Sequence, residues 1–175
     1  MRRIVLFALP ACLLVAAPSL AGSTTSVSRC RTAQLRIAAT FYGEAGGQFT
    51  QTFTLTNVSR HACSVRGWPR LAIEGRSGHP VRTFTRRVIQ GSPTARPFRT
   101  VLLGPRAAGA FDVYGADWNF AANKPCPRTT LVLIAPPAAR SAVSVSVRVP
   151  NCGRFSIAPV VAGKADRRSW SVVWH

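Results

Sequence analysis

Residues 143–149 read Val-Ser-Val-Ser-Val-Arg-Val, with an apolar, β-branched side chain at every second position. The segment from Phe49 to Thr56 alternates in the same way, with threonine at each even-numbered position. A period of two places one set of side chains on each face of a β-strand, and β-branched residues suit a half-buried sheet. Both segments therefore predict strands that bury one face.

Alternation of the same kind recurs along the chain. The odd-numbered apolar residues from Leu35 to Phe41 share one face of another predicted strand, with Arg36 and Thr40 on the opposite face. Weaker patterns predict further strands at residues 70–74, 81–89, 99–103, 110–114, 129–135 and 155–161. No segment after residue 21 keeps a helical apolar period for three turns. Eight or nine short strands predict an all-β fold, a single antiparallel β-sandwich.

The overall composition limits the classes of protein that fit. The chain has 175 residues, of which 47% are hydrophobic, so it can build one domain with a core. It carries 23 Lys and Arg against 5 Asp and Glu, a net charge of +18. Five acids and three histidines leave few residues for metal sites or for catalysis by paired carboxylates.

The first 21 residues have the organisation of a secretory signal peptide. Arg2 and Arg3 precede an apolar run over residues 4–17, and Ser19-Leu20-Ala21 offers small residues for cleavage after Ala21. We therefore predict an exported protein, either secreted or associated with the cell envelope.

Two other interpretations of this segment remain open. An uncleaved membrane anchor would need a longer apolar run. A lipoprotein attached through Cys12 would normally have a polar tether, whereas the residues after Cys12 are apolar. The predicted division of the chain is a signal peptide at 1–21, a β-sandwich domain at 22–163 and a basic, tryptophan-containing tail at 164–175.

Four cysteines follow the predicted signal peptide: Cys30, Cys63, Cys126 and Cys152. An exported chain with an even number of cysteines is expected to form disulfides, here two. The alternative is a four-thiolate zinc site, but the spacing contains no short C-x-x-C pair.

The positions of glycine- and proline-rich turns favour one disulfide pairing. The midpoint of Cys126 and Cys152 is residue 139, inside a predicted turn, and this centre places Leu131 opposite Val147. The midpoint of Cys30 and Cys63 falls within a second turn, between Gly46 and Gly47. We therefore favour Cys30–Cys63 and Cys126–Cys152 over the two other connectivities, with about 3 kcal/mol of stabilisation expected from each.

The second hairpin centre carries a further prediction. A hairpin centred between Gly46 and Gly47 places Ile37 opposite Thr56. Ile37 belongs to the apolar face of its strand, whereas Thr56 belongs to the polar face, so the two faces do not match. A bulge near residues 57–62 is therefore expected to correct the register.

A set of motifs in the first half of the chain resembles a known family. Cys30-Arg-Thr-Ala-Gln-Leu35 has the form C-x4-L, and a glycine turn follows it. Asn57-Val-Ser-Arg-His-Ala-Cys-Ser-Val-Arg-Gly-Trp-Pro69 then has the form N-x-S-x3-C-x3-G-aromatic-P. In order and spacing these motifs resemble the domain-of-unknown-function 4232 family, from Cys30 to about Val161.

This resemblance implies an exported or lipid-anchored actinobacterial protein with an immunoglobulin-like β fold. It implies no activity, cofactor or catalytic residue, because none is established for the family. The basic loop around Arg86 and Arg87, and the tail with Trp170 and Trp174, depart from the family pattern.

The remaining polar residues indicate no catalytic site. His61 and His79 lie in predicted loops, His175 is the last residue, and no serine lies in a G-x-S-x-G elbow. The five acids fall on separate predicted loops and strands: Glu44, Glu74, Asp112, Asp117 and Asp166. We predict no enzymatic activity, no metal and no cofactor. The alternative is a secreted hydrolase, or a protein inhibitor of an extracellular enzyme.

The positive charge predicts an anionic partner. Arg82, Arg86 and Arg87 cluster around Phe84 and could present guanidinium groups to phosphate or carboxylate. Outside a cell the partner would be an anionic wall polymer or an anionic lipid surface, and a protein partner is a further candidate. Nucleic acid is an unfavoured partner, since no recognition motif is present. The predicted function is a non-enzymatic binding module of the cell envelope, unless the arginines reflect only a compositional bias.

Overall fold

The computed structural model describes residues 26–74, 80–81, 83–88 and 99–163. These residues form strands and turns, with one three-residue 3-10 helix at Thr32–Gln34, and they confirm the all-β prediction. Within these ranges no helix has the length and apolar character needed to cross a bilayer. The predicted signal peptide and tail, His79 and Arg82 lie outside the described residues.

Fourteen strands are present in the described part of the chain, more than the eight or nine predicted, and four of them have only two residues. They are β1 Leu35–Ala45, β2 Gln48–Asn57, β3 Cys63–Val65, β4 Arg70–Glu74, β5 Pro80–Val81, β6 Phe84–Arg87, β7 Val101–Leu103, β8 Ala108–Ala116, β9 Trp118–Asn119, β10 Lys124–Pro125, β11 Arg128–Ala135, β12 Val143–Pro150, β13 Arg154–Ile157 and β14 Val161–Ala162.

Two larger sheets build the domain. The first has the order β1-β2-β8-β13-β6, with β14 beside β8, and the second has the order β12-β11-β4-β5. Two small two-stranded sheets, β3-β7 and β9-β10, complete the fold. One pair departs from the antiparallel prediction: β6 runs parallel to β13. Local alternation cannot reveal such a pair, because its strands are separated by most of the second half of the chain.

The β1–β2 hairpin contains the expected bulge, but at a different place. Gly46 and Gly47 form the turn with φ of 59° and 79°, as a two-residue type I′ turn requires. The register shifts between Ala39 and Phe41, so that Ile37 lies opposite Leu55. The prediction of a bulge near residues 57–62 was therefore wrong, since Thr40 supplies the extra residue within β1.

The β11–β12 register also differs from the prediction. Thr129 lies opposite Val149, as the centre at residue 139 requires, but the register shifts before Leu131. Leu131 then lies opposite Ser146, not Val147, and Val132 lies opposite Val145. Because of this bulge, Val132 and not Leu131 is fully buried on the inner face.

The two larger sheets bury their apolar faces against each other, as in a β-sandwich. Phe53 of β2 and Phe111 of β8 stack with ring centroids 5.3 Å apart. Across the core, the second sheet contributes fully buried aliphatic residues such as Ile73, Val132 and Ile134. This arrangement is compatible with the predicted immunoglobulin-like sandwich.

Two disulfides fasten the domain at separate points. They join Cys30 to Cys63, with Cα atoms 4.8 Å apart, and Cys126 to Cys152, with Cα atoms 5.3 Å apart. These are the two pairings that the turn positions favoured. The bridged residues are 33 and 26 positions apart in sequence, so each bridge removes a similar loop entropy from the unfolded chain, worth about 3 kcal/mol.

Side-chain contacts between the two sheets define the two ends of the sandwich. Arg128, at the start of β11, forms an ion pair with Glu44 of β1 near the Gly46-Gly47 turn. We call this the hairpin end. At the other end, the Thr32 hydroxyl donates a hydrogen bond to the Ser141 carbonyl. We call this the Asn57 end, because β2 finishes there at Asn57.

Candidate anion-binding groove

Two members of the predicted arginine cluster, Arg86 and Arg87, belong to the described residues, and their side chains point in different directions. Arg86 and Arg87 are consecutive residues of β6, so their side chains point to opposite faces of the strand. The Arg87 guanidinium lies 5.7 Å from the centroid of the Trp68 ring, whereas Arg86 lies opposite Ser156 of β13. β6 therefore does not present these two guanidiniums to one ligand.

A different pair of arginines flanks a groove on the outer face of the first sheet. This groove has a volume of about 690 Å³. Its lining residues come from β1, from β2 and the residues after it, and from the turn before β8: Arg36, Ala38, Thr40, Thr54, Thr56, Asn57, Val58 and Arg106. Among the described residues, this lining combines two guanidinium groups with three hydroxyl groups and includes no carboxylate.

Strand alternation places Arg36 in the groove. Leu35 and Ile37 are buried in the core, so Arg36 between them points outward. Arg36 lies opposite Thr56 of β2. A long cationic side chain therefore stands beside a threonine hydroxyl on the same face.

The threonines extend this polar surface along the sheet. The hydroxyl oxygens of Thr40 and Thr54 lie 3.1 Å apart and share a hydrogen bond. Thr40 is the bulge residue of β1, so the register shift brings its side chain to this contact. The bulge thus adds the Thr40 hydroxyl to the lining of the groove.

Arg106 reaches the groove from a tight turn. The Ala107 N–H donates to the Gly104 carbonyl (3.0 Å), which closes a four-residue turn with Arg106 as its third residue. Arg106 has φ of 64°, a value that usually belongs to glycine at this position of a type II turn. For a residue with a Cβ this conformation costs on the order of 1 kcal/mol. The fold therefore holds an arginine where glycine would be less strained.

Asn57 fixes this turn to the end of β2. Its fully buried side-chain amide donates to the carbonyls of His61 and Leu103, both at 2.8 Å. Its main-chain carbonyl accepts a hydrogen bond from the Arg106 N–H (2.8 Å). Because these bonds join β2, β7 and the turn, they fix the main chain of Arg106 beside the groove.

The side-chain oxygen of Asn57 accepts hydrogen bonds from the N–H and hydroxyl of Ser59. The Asn57 carboxamide is therefore engaged inside the fold, although Asn57-Val58-Ser59 matches a glycosylation sequon.

One acid lies on the same outer face, further along β8. Asp112 is buried opposite Thr52, whose hydroxyl donates to its carboxylate (2.7 Å). The Tyr114 hydroxyl donates to its second oxygen (3.3 Å). Burial raises the pKa of Asp112, and these two hydrogen bonds offset part of the rise. The environment of Asp112 thus disfavours its negative charge.

Two of the residues considered as possible catalytic groups, His61 and Glu44, lie apart in the described structure. His61 is exposed after β2, whereas Glu44 is paired with Arg128 at the hairpin end. A hydrogen bond from Tyr42 and the neighbouring Arg128 lower the pKa of Glu44. Burial, followed by the contact with Glu44, raises the pKa of Tyr42 to about 12. Among the described residues, no three His, Cys, Asp or Glu side chains form a group that could hold a metal ion.

Sequence reasoning missed both groove arginines as site residues. Strand alternation had already placed Arg36 on an outer face. The pair Gly104-Pro105 is typical of a turn, but nothing in the sequence shows that the next residue has a positive φ. Nor did it show that this turn packs beside β1, because that contact depends on the complete sheet.

The fold places the chain in the class of small, disulfide-bonded, β-sandwich-like domains. It belongs to the family described as Domain of unknown function (DUF4232), which it matches over residues 30–162. This match confirms the family resemblance, while the implied actinobacterial origin stays a prediction. Comparison with curated proteins and with solved structures gives no match.

Proposed function

We propose that the protein is an exported, non-catalytic binding module of the cell envelope. Its ligand is an oxyanion-bearing polymer, held in the groove between Arg36 and Arg106. The observation that carries the proposal is the described lining of this groove, in which two guanidinium groups flank threonine hydroxyls and no described residue adds a carboxylate. Guanidinium groups bind phosphate and carboxylate oxygens through paired, charge-assisted hydrogen bonds.

The charge of the whole chain supports this proposal. With 23 basic and 5 acidic residues, the five acids can neutralise only a small part of the positive charge of the molecule. Every Arg and Lys in the described residues is exposed. Such a surface raises the local concentration of polyanions, and the groove offers a defined place for one anionic group.

Export is part of the proposal. The two disulfides suggest an oxidising compartment outside the cytosol. Expression in a secreting bacterial host, followed by intact-mass measurement, should give a chain that starts at Gly22 and has no free thiol. An exported chain that still begins at Met1 would contradict cleavage, and free thiols at the four later cysteines would contradict stable pairing.

Binding to soluble polyanions tests the groove directly. Polyphosphate and polygalacturonate are suitable probes, because one carries phosphate and the other carboxylate. We expect Arg36→Gln/Arg106→Gln to weaken binding of the preferred probe by roughly tenfold or more, since charge-assisted hydrogen bonds are lost. The comparison of the two probes identifies which oxyanion the groove prefers.

A matched control separates the groove from the general positive charge. Arg140→Gln/Arg148→Gln removes the same two charges from exposed positions on the second sheet and its turn. This control should weaken binding far less than the groove variant. Equal losses from both variants would show that only net charge acts, and absence of binding to either probe would overturn the proposal. Wild-type binding should also fall steeply as NaCl rises.

A further inference from the structure

The exposed aromatic residues gather at one end of the sandwich. The described residues include eight exposed large hydrophobic side chains: Val27, Val58, Val81, Phe84, Leu102, Trp118, Phe120 and Val161. The three aromatic members of this set are Phe84, Trp118 and Phe120, with 62%, 36% and 71% of their surfaces exposed. All three lie at the hairpin end, opposite the end at which Arg106 enters the groove.

The β1–β2 turn and the segment after β8 bring two of these aromatics together. Ala116, the last residue of β8, lies opposite Gln48, and the Asp117 N–H donates to the Gly47 carbonyl (3.1 Å). Trp118 and Phe120 follow directly. The Phe120 ring lies so close to Gly47 that a Cβ there would come within 2.6 Å of it. The glycine turn therefore supports the Phe120 ring while most of the ring stays exposed.

Phe84 lies at the same end of the first sheet but on β6, the edge strand opposite β1. It begins β6 and lies opposite Arg154, the first residue of β13. The next residue of β13, Phe155, lies opposite Gly115 of β8. The strand register thus places Phe84 and Arg154 close to the point where β8 ends.

The segment that carries Trp118 and Phe120 is held in place covalently. β9 and β10 pair as a short hairpin, and the Cys126 N–H donates to the Asp117 carbonyl (2.8 Å). Cys126 is bound to Cys152 through the second disulfide. The aromatic side chains are therefore displayed by a fixed loop.

The charges around these aromatics suit an anionic surface. Lys124 and Arg154 are exposed at this end. Three acids share this end, so its local charge is mixed: Glu44 is paired with Arg128, Glu74 is half-buried and one carboxylate oxygen of Asp117 is buried. The net charge of +18, or +16 once Arg2 and Arg3 leave with the predicted signal peptide, adds a long-range attraction to anionic lipid headgroups.

We propose that the hairpin end is a membrane-interface surface, which places Phe120 and Trp118 among the headgroups of an anionic bilayer. Aromatic rings favour the boundary between headgroups and acyl chains, and neighbouring basic residues bind anionic lipid. In this orientation the Asn57 end and the groove face away from the bilayer. The proposal is independent of the groove, because it depends on different residues at the other end of the molecule.

Vesicle sedimentation tests this surface. Protein recovered after export is mixed with phosphatidylglycerol vesicles and, separately, with phosphatidylcholine vesicles. We expect clear binding to the anionic vesicles and much weaker binding to the neutral ones. Phe120→Ser should lower the partition coefficient on anionic vesicles by roughly tenfold, because a large apolar surface no longer leaves water. Phe120→Leu should retain most of the binding.

Leu102→Ser provides the matched control. Leu102 of β7 is 64% exposed, similar to Phe120, but it lies outside the hairpin end. This variant should bind anionic vesicles like the wild type. Equal binding by Phe120→Ser and the wild type would overturn the proposal, and so would equal losses in Phe120→Ser and Leu102→Ser. Both substitutions are at exposed positions, and unchanged thermal unfolding would show that the fold is intact.

Discussion

Arg106 combines a strained backbone with a position in the groove. A glycine would adopt φ of 64° without a steric penalty, whereas the Cβ of any other residue crowds the backbone there. Strain of this kind persists where the surrounding structure fixes it, and it is common at functional sites. At Arg106 the hydrogen bonds with Asn57 and around the turn provide that fixation.

Substitution of Arg106 separates strain from charge. Arg106→Gly and Arg106→Ala both remove the guanidinium, but only glycine removes the steric strain that the positive φ causes in a residue with a Cβ. We expect the free energy of unfolding to be about 1 kcal/mol higher for the glycine variant than for the alanine variant. Urea denaturation of both variants measures this difference, and an alanine variant as stable as the glycine variant would contradict the strain.

Asp112 should make the stability of the protein depend on pH. Its folded pKa is raised above the ordinary value of 3.8, chiefly by burial. The unfolded chain therefore releases this proton at lower pH than the folded chain, so the contribution of Asp112 to stability falls as pH rises from about 3.8 to its folded pKa.

Asp112→Asn isolates this effect, because asparagine does not titrate. The free energy of unfolding of this variant, relative to the wild type, should be greater at about pH 7 than at about pH 3. Urea denaturation at the two pH values measures the change. The charge-neutral substitution Thr129→Ser should show no such trend, and a constant difference for Asp112→Asn would contradict the burial effect.

At the scale of elements, β6 is an exposed edge strand of the first sheet. All four of its residues are exposed, and it pairs in parallel with β13. The Trp68 indole N–H donates to the Val88 carbonyl (2.9 Å), and the Trp68 ring also faces Arg87. Trp68 thus fastens the end of β6 to the residues just before β4.

Loss of this indole donor should loosen β6 selectively. In Trp68→Phe, amide hydrogens of residues 84–88 should exchange faster, while those of β2 and β8 keep their protection. Hydrogen exchange with mass spectrometry measures both regions in one experiment. Uniformly faster exchange would indicate global destabilisation instead, and unchanged exchange in β6 would show that Trp68 does not hold it.

The sequence predicts the positions of the strands better than the way in which the strands pair. The bounds of β4 agree with the predicted strand at residues 70–74, because its alternation is regular and short. The bulges at Thr40 and before Leu131 could not be placed, since a bulge follows from the fit between two whole strands. The parallel partner of β6 and the convergence of Arg36 with Arg106 depend on contacts distant in sequence.

For the whole molecule, the net charge of +18, or +16 after the proposed cleavage removes Arg2 and Arg3, implies self-repulsion in the compact state. Salt screens this repulsion over a distance of about 10 Å at 0.1 M. The melting temperature should therefore rise by a few degrees as NaCl increases from about 20 mM to about 300 mM. Circular dichroism at 218 nm or so follows this transition.

The same increase in salt should weaken polyanion binding, so stability and affinity should change in opposite directions. A melting temperature that falls as salt rises would show that attractive ion pairs, such as Arg128–Glu44, outweigh the general repulsion.

The order of the cysteines along the chain has a consequence for how the protein matures. Cys30 is bonded to the next cysteine after it, and Cys126 is likewise bonded to Cys152, so neither loop encloses a member of the other pair. Suppose that such a chain enters an oxidising compartment N terminus first and loses Cys12 with the signal peptide. Cys63 then arrives when Cys30 is the one free thiol already there, and Cys152 arrives when only Cys126 is still free. Oxidation in order of arrival therefore gives the correct bridges without subsequent reshuffling by an isomerase.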